Sequence, residues 1–151
     1  DDDGTRGNGL MANSQAFATV AKVDALKAIC PNASTINAAL YLASATTGAG
    51  NTVYTGTGEV SGTNYSAGGV AVTHATAATS TGTTAFWTPS ASIVYTNVTL
   101  STAFDCVMLY DVSRSNATIS THTFGSQTVT AGTFTLTMPT NDATTGLVRI
   151  A

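Results

Sequence analysis

Few residues in this chain could do chemistry, and they are widely spaced. Its 151 residues include one glutamate, Glu59, and two histidines, His74 and His122. Glu59 lies in the stretch GTGEVSGTNYSAGG, residues 56–69, whose glycines suggest a phosphate-binding loop. A Walker loop also needs a lysine and a following helix, and a dinucleotide-binding loop needs the spacing GxGxxG. Because no lysine follows Lys27 and the glycine spacing differs, nucleotide binding is not expected.

The same stretch is better explained as a connection that glycines shape. Glycine adopts positive φ without the steric penalty that other residues meet. We expect positive φ at some of Gly58, Gly62, Gly68 and Gly69. Glu59 is then expected to cap, to pair or to face solvent.

The other polar residues do not combine into a recognisable catalytic or metal site. Zinc needs three or four ligands, and the histidines, cysteines and aspartates show no paired spacing. A Ser-His-Asp triad assembles without fixed spacing, but no GxSxG elbow supports one. Asp105 and Asp111 would lie about 20 Å apart on one strand, too far for a glycosidase pair, and are expected at its solvated ends. We therefore predict a protein that is not an enzyme and has no catalytic, cofactor-binding or metal-binding residue.

The composition excludes several classes of partner. Only 9% of the residues are charged, against about 25% in an average domain. With a net charge of −3 and no cluster of Lys or Arg, binding to nucleic acid or to an anionic membrane surface is not expected. A surface rich in Thr, Ser, Asn and Gly suits packing against other subunits, although a secreted domain would share it. Cys30 and Cys106 could form one disulfide or remain free, buried thiols.

The N-terminal residues divide into an arm and a helix. Residues 1–10, DDDGTRGNGL, carry too little apolar surface to fold alone and predict a flexible arm. MANS, from Met11, resembles a translation start, so the arm could be an extension. Residues 11–151 are predicted to form a single β-rich domain. Its first element is a helix over residues 14–29, with Ser14 as N-cap.

The remaining pattern is that of β-strands. Alternating or β-branched segments predict strands at residues 36–42, 92–100, 104–112 and 132–139, and shorter ones at 70–73, 118–124 and 147–150. Turn signals lie between most of them, at residues 48–51, 113–116 and 130–132. The expected fold class is mainly β, an antiparallel sandwich or barrel for which a jelly roll is one arrangement, with one N-terminal α-helix.

The segment FDCVMLYDV, residues 104–112, predicts a strand at the centre of a sheet. One face carries Phe104, Cys106, Met108 and Tyr110, while Val107 and Leu109 occupy the other. Apolar residues on both faces are typical of a strand that is covered on two sides.

Phe86 and Trp87 form the one dense aromatic cluster outside a clear strand. Core packing is the default interpretation, and an aromatic anchor at an interface is the sharper alternative. The residues considered for an interface are Asp1, Asp2, Asp3, Arg6, Phe86 and Trp87.

Several segments, taken in order, carry a resemblance to a known family. They are MANSQAF, a strand ending ALYL, VYTGTGEVSGTNYSAGGVAV, IVYTNVTL, DCVMLYD and FGSQTVTAGTFTLTMPTNDATTGLVRIA. This order resembles small virion structural or head decoration proteins of tailed bacteriophages over nearly all of residues 11–151. The most specific pieces are the GEVSGTNYSAGG loop and the FGSQTVTAGTFTLTMP segment, expected as a hairpin. The arm has no counterpart. The resemblance implies a β-rich virion subunit in many copies, with no catalytic residues.

The expected function is that of a capsid decoration protein, assembled in the host cytoplasm and located in the virion. It would bridge neighbouring capsid subunits, with the major capsid protein and copies of itself as partners in a homo-oligomer, and without a cofactor. The alternative is a tail or fibre component that binds a host-surface receptor through a shallow polar and aromatic groove. An enzyme is the least favoured class, and its sign would be a pocket with convergent polar groups around His74 or His122.

Overall fold

Two antiparallel sheets and one helix make up the fold. The computed structural model describes residues 14–30 and 34–151. The elements are α1 Thr19–Ile29, β1 Ile36–Leu42, β2 Val70–Ala71, β3 Thr79–Thr81, β4 Thr84–Trp87, β5 Ile93–Asp111, β6 Ala117–Leu136 and β7 Val148–Ile150. One sheet has the strand order β2-β1-β5-β6 and the other β3-β4-β7. The predicted mainly-β antiparallel sandwich with a helix near the N-terminus is confirmed.

The helix is shorter than predicted at its beginning. α1 starts at Thr19, and Ala18 at its N-cap makes no side-chain capping bond, so the predicted start at Ser14 is wrong. Phe17 is 58% exposed, which means that an earlier start would bury little further apolar surface to offset the ordering of the chain. The helix is fixed instead by buried Leu26 and by Lys22, whose Nζ donates a hydrogen bond to the carbonyl of Thr83 at 2.9 Å.

β5 and β6 form a hairpin whose strands are much longer than predicted. They pair continuously from Asp111 and Ala117 at the turn to Ile93 and Leu136 at the far end. The predicted turn at residues 113–116 is present at the tip, where Val112–Arg114 form a 3-10 turn.

The sequence predicts that each of these two strands is interrupted, and this prediction is wrong. The turn signal at residues 130–132 falls inside β6, where Ala131 has a φ of 45° and the register with β5 shifts nearby. β-bulges of this kind absorb extra residues without ending a strand. The segment FGSQTVTAGTFTLTMP is therefore largely one strand and not a hairpin.

β1 and β5 are covered on both faces, which the sequence predicts for residues 104–112 of β5 but not for β1, whose alternation predicts a half-buried strand. Toward the second sheet lies the main core, which includes Ile36, Leu40, Trp87, Val107 and Leu109. On the opposite face a smaller buried cluster consists of Ala39, Tyr41, Cys106, Met108 and Tyr110, with Ala45 and Tyr54 packed against it.

Two predicted positions on β5 need correction. Phe104 packs in the main core, on the opposite face from Cys106, because the register with both neighbouring strands shifts between these two residues. Asp111 is not at a solvated end but is 0% exposed, and its Oδ1 accepts a hydrogen bond from the N–H of Ser113 at 2.8 Å. Pairing of Ile36 with Asp111 extends the sheet over this end of β5.

Candidate interaction site

The chain's one glutamate holds a loop onto the larger sheet. Glu59 lies in residues 43–69, the loop between β1 and β2. Its Oε1 accepts hydrogen bonds from the Tyr65 hydroxyl and the Gly68 N–H, each at 2.7 Å, and its Oε2 accepts one from the Tyr54 hydroxyl at 2.5 Å. We call Glu59, Tyr54, Tyr65 and Gly68 the Glu59 cluster. Of the roles expected for Glu59, the structure shows the capping of one backbone N–H, that of Gly68, together with hydrogen bonds from two tyrosine hydroxyls.

The other tyrosines of the chain join this loop and the two central strands. The Tyr110 hydroxyl donates to the carbonyl of Gly68 at 2.7 Å, and the Tyr110 ring stacks on that of Tyr54 at 4.7 Å. The Tyr41 hydroxyl donates to Thr55 in the loop at 2.6 Å, whereas the Tyr95 hydroxyl donates to the carbonyl of Ala38 on β1 at 2.7 Å.

Burial raises the pKa of all five tyrosines, and the charge of Glu59 adds to the rise. The pKa of Tyr41 reaches about 12, first through burial and then through Glu59. Burial and the hydrogen bonds to Glu59 also raise the pKa of Tyr54 and of Tyr65 well above the usual range. The pKa values of Tyr95 and Tyr110 move in the same direction, with burial as the largest cause. The phenols are therefore neutral donors, suited to hold the loop and not to transfer protons.

Two glycines let the loop approach the sheet closely. A Cβ at Gly69 would lie 1.7 Å from the carbonyl oxygen of Ala38, and one at Gly62 would lie 1.9 Å from that of Thr99. The expected positive φ is present at Gly58, Gly68 and Gly69 but not at Gly62, where the requirement is space alone.

The two histidines lie in different parts of the sandwich. His74 places Nε2 2.8 Å from the carbonyl of Ser34 and packs edge-on against Trp87. His122, on β6, places Nε2 2.8 Å from the Ser120 hydroxyl, and burial lowers its pKa. Among residues 14–30 and 34–151, no group of three His, Cys, Asp or Glu side chains could hold a metal ion.

His122 also lines a cavity of about 190 Å³ between the layers. Most of its lining is apolar, including Ile93, Leu109, Phe124 and Met138. Apart from His122, none of the residues that line this cavity is titratable.

Of the residues considered for an interface from the sequence, only Phe86 and Trp87 lie in the described part of the chain. Phe86 is 4% exposed and Trp87 0% exposed, so both belong to the core and an anchoring role needs correction. The physical reason is that β4 lies between β3 and β7, with Trp87 in the main core and α1 in contact with the strand. Asp1, Asp2, Asp3 and Arg6 lie outside the described residues.

Both cysteines are free and buried. Burial, with the nearby charge of Asp111, raises the pKa of the Cys30 thiol to about 12. A thiol with so high a pKa is a poor nucleophile near neutral pH.

The structural feature that sequence reasoning missed is the unpaired outer edge of β6. β6 is the last strand of its sheet. Residues 52–54 lie beside only its beginning, where the Thr118 N–H donates to the carbonyl of Thr52 at 3.1 Å. From Ile119 to Leu136, no other strand of the described chain pairs with this side. We call residues 119–136, on the side away from β5, the β6 edge.

The composition of β6 could have identified this edge. Its twenty residues, ATISTHTFGSQTVTAGTFTL, include no Lys, Arg, Asp, Glu or Pro. Natural edge strands are usually protected by charged residues or proline against pairing with another chain. The sequence predicts two shorter strands here, at residues 118–124 and 132–139, so the full length of this uncharged strand is not evident from the sequence.

The chain matches no family model, no curated protein and no solved structure. In the described part of the chain, α1 is too short to cross a membrane, and no other helix there is a candidate. The site is therefore interpreted from its own geometry.

Proposed function

We propose that this protein is a structural component of a tailed-bacteriophage virion, namely a decoration protein that bridges neighbouring major capsid subunits and stabilises the head. It is located in the virion in many copies, and its partners are the major capsid protein and copies of itself. It acts through the surface area that it buries on its partners and not through catalysis.

The observation that carries this proposal is the long, uncharged surface of β6. Its exposed side chains include Thr123, Ser126, Gln127 and Thr128, and the strand contains no carboxylate, Lys or Arg. Another subunit can cover such a surface without removing ionised groups from water. The resemblance of residues 11–151 to virion structural proteins supports the same function.

The proposal predicts weaker phage heads when the protein is missing. Deleting its gene from the phage that encodes it should give particles that lose infectivity faster on heating, because bridges between capsid subunits are absent. Infectious titre after a series of heating steps measures the effect, and supplying the wild-type protein in trans is the control. If particles without the protein package DNA and survive heating as well as wild type, the proposal is wrong.

A tail or fibre component that binds a host receptor is the second candidate. A depression of about 510 Å³ favours it, because Thr76, Thr88, Ser90, Ser92 and Asn141 line the depression with groups that could bind a glycan. Among the described residues that line it, however, there is no aromatic side chain of the kind expected for a receptor groove. Gel densitometry of purified virions separates the candidates: a decoration protein is present in hundreds of copies, whereas a tail component is present in tens.

A further inference from the structure

We propose that the β6 edge pairs in an antiparallel manner with the β6 edge of a second copy of this chain. The four-stranded sheets of the two copies then form one continuous sheet in which the two β6 strands are adjacent. This inference rests on the self-association that the proposed function includes, and it identifies the surface responsible.

Within residues 14–30 and 34–151, no strand pairs with the backbone of the β6 edge, and residues 48–51 lie near its first part, Ile119–Thr121. Backbone N–H and C=O groups along an unpaired edge are a template for pairing with another chain. Neither proline nor a charged side chain interrupts residues 119–136, although the strand has a bulge near Ala131, where the register with β5 shifts. The short edge of the other sheet, β3, has only three residues, so it offers far less backbone to a partner.

The charge of β6 favours a second copy over an oppositely charged partner. A two-fold interface places the same surface on both subunits, so a charge on the strand near the two-fold axis would lie close to its own like-charged copy. Because β6 contains no formal charge, its self-pairing meets no such repulsion. When the whole edge is paired, the two-fold axis passes between Gln127 and Thr128.

The length of the edge is sufficient for a stable dimer. At about 3.4 Å per residue, the β6 edge is about 60 Å long, and a sheet is about 10 Å thick. Each copy would therefore bury roughly 600 Å², or about 1,200 Å² for the pair, which reaches the lower end of the range for specific interfaces.

Lysines placed next to the proposed axis test the pairing. In the double variant Ser126→Lys/Thr128→Lys, four like charges meet near the axis, so the dissociation constant should rise by at least about 100-fold. The matched control, Thr79→Lys/Thr81→Lys, adds the same charge to exposed positions on β3 and should remain dimeric. Light scattering after size-exclusion chromatography should give twice the 15.2 kDa chain mass for the wild type and the control, and the chain mass for the β6 variant.

Hydrogen exchange on the wild-type protein gives a measurement that does not depend on whether a variant folds. In the dimer, outward amides between Ile119 and Leu136 should exchange slowly, and they should exchange faster after dilution to monomer. A monomeric or trimeric wild-type protein would overturn the inference, as would a dimer that the β6 lysines leave intact. So would fast exchange along the β6 edge of a dimer, or slow exchange there that dilution leaves unchanged, since residues 1–13 or another segment would then cover the edge.

The two proposals can fail separately. If gene-deleted phage lose heat resistance but the purified protein is a monomer, the decoration role stands and the β6 pairing is wrong. If the protein is a dimer through β6 but gene-deleted phage are unaffected, the pairing stands and the decoration role is wrong.

Discussion

Glu59 receives hydrogen bonds from three donors of its own loop, one of which also contacts the sheet. Tyr54 and Tyr65 flank it within the loop, while the Tyr65 hydroxyl also accepts the N–H of Leu40 on β1 at 2.9 Å. One carboxylate therefore connects the loop to the sheet. Hydrogen bonds to a charged acceptor contribute about 1.5–3 kcal/mol each, and an unsatisfied buried donor is costly.

Replacing Glu59 by alanine should lower the free energy of unfolding by about 2–4 kcal/mol, because three donors lose their acceptor. Glu59→Gln keeps one acceptor oxygen and should lose roughly half as much. Urea denaturation followed by the fluorescence of buried Trp87 measures both changes. The control is Asp24→Ala, which removes an exposed carboxylate from α1 and should change stability by less than about 0.5 kcal/mol. Similar losses in Glu59→Ala and Asp24→Ala would contradict the structural role of Glu59.

The sequence could show that Glu59 was isolated among glycines, but not which groups it binds. Tyr65 is close to it in the chain, whereas Tyr110 and Ala38 meet the same loop, at Gly68 and Gly69, only after the sheet has formed. Phe86 and Trp87 illustrate the same limit, because their burial depends on a neighbouring strand, β7, that lies some sixty residues away.

At the scale of elements, the loop of residues 43–69 and the β5–β6 hairpin differ in how they use special backbone conformations. The loop uses glycines to come within contact distance of β1 and β5. The hairpin instead tolerates positive φ at Asn97 and Ala131 within its long strands. Both segments contain turn-forming residues, but only the loop of residues 43–69 connects two strands, whereas the turn-forming residues Asn97 and Ala131 lie within strands.

Adding a methyl group where the loop meets the sheet should be strongly destabilising. Gly69→Ala combines the clash with Ala38 and a φ of 77°, and it should lower the free energy of unfolding by about 3 kcal/mol or more. Gly62→Ala introduces the clash with Thr99 alone and should cost somewhat less. Thermal and urea unfolding measure the differences. Gly50→Ala is the matched control, since a Cβ there meets nothing within 4 Å. A Gly69→Ala protein as stable as Gly50→Ala would show that the loop does not lie against β1.

The length of β5 and β6 could not be predicted from local signals. Residues such as TAG at 130–132 favour a turn when only their neighbours in sequence are considered. In the fold, the partner strand continues alongside them, and a bulge satisfies the local preference without reversing the chain. The strand at residues 36–42 is predictable from local sequence, because its alternating residues Ile36, Ala38 and Leu40 all lie in the main core.

At the scale of the whole molecule, the concentration of tyrosines in one region links stability to alkaline pH. All five phenols have a raised pKa in the folded protein, whereas a tyrosine in an unfolded chain ionises near pH 10. The folded state therefore retains protons that the unfolded state releases.

Stability should accordingly be complete below about pH 10 and should fall as the pH rises toward the folded pKa values, by up to about 1.4 kcal/mol per pH unit for a fully buried tyrosine such as Tyr41 or Tyr95. For Tyr41 this window extends to its folded pKa of about 12. Urea denaturation from about pH 8 to about pH 11 measures the slope. Tyrosinate absorbance provides the check, because the denatured protein should titrate near pH 10 and the folded protein clearly later. Folded tyrosines that titrate together near pH 10 would contradict the buried arrangement.

The Glu59 cluster also has a consequence for how faithfully the strands align. β5 contributes Tyr110, which binds Gly68, and β1 contributes the N–H of Leu40, which binds Tyr65. A slip of β5 by one residue would turn Tyr110 to the other face of the sheet and separate these contacts. The loop can then close only over correctly aligned strands. The closed loop therefore favours one register of the sheet, because in a misaligned chain the Gly68 carbonyl and the Tyr65 hydroxyl lose their partners on β5 and β1.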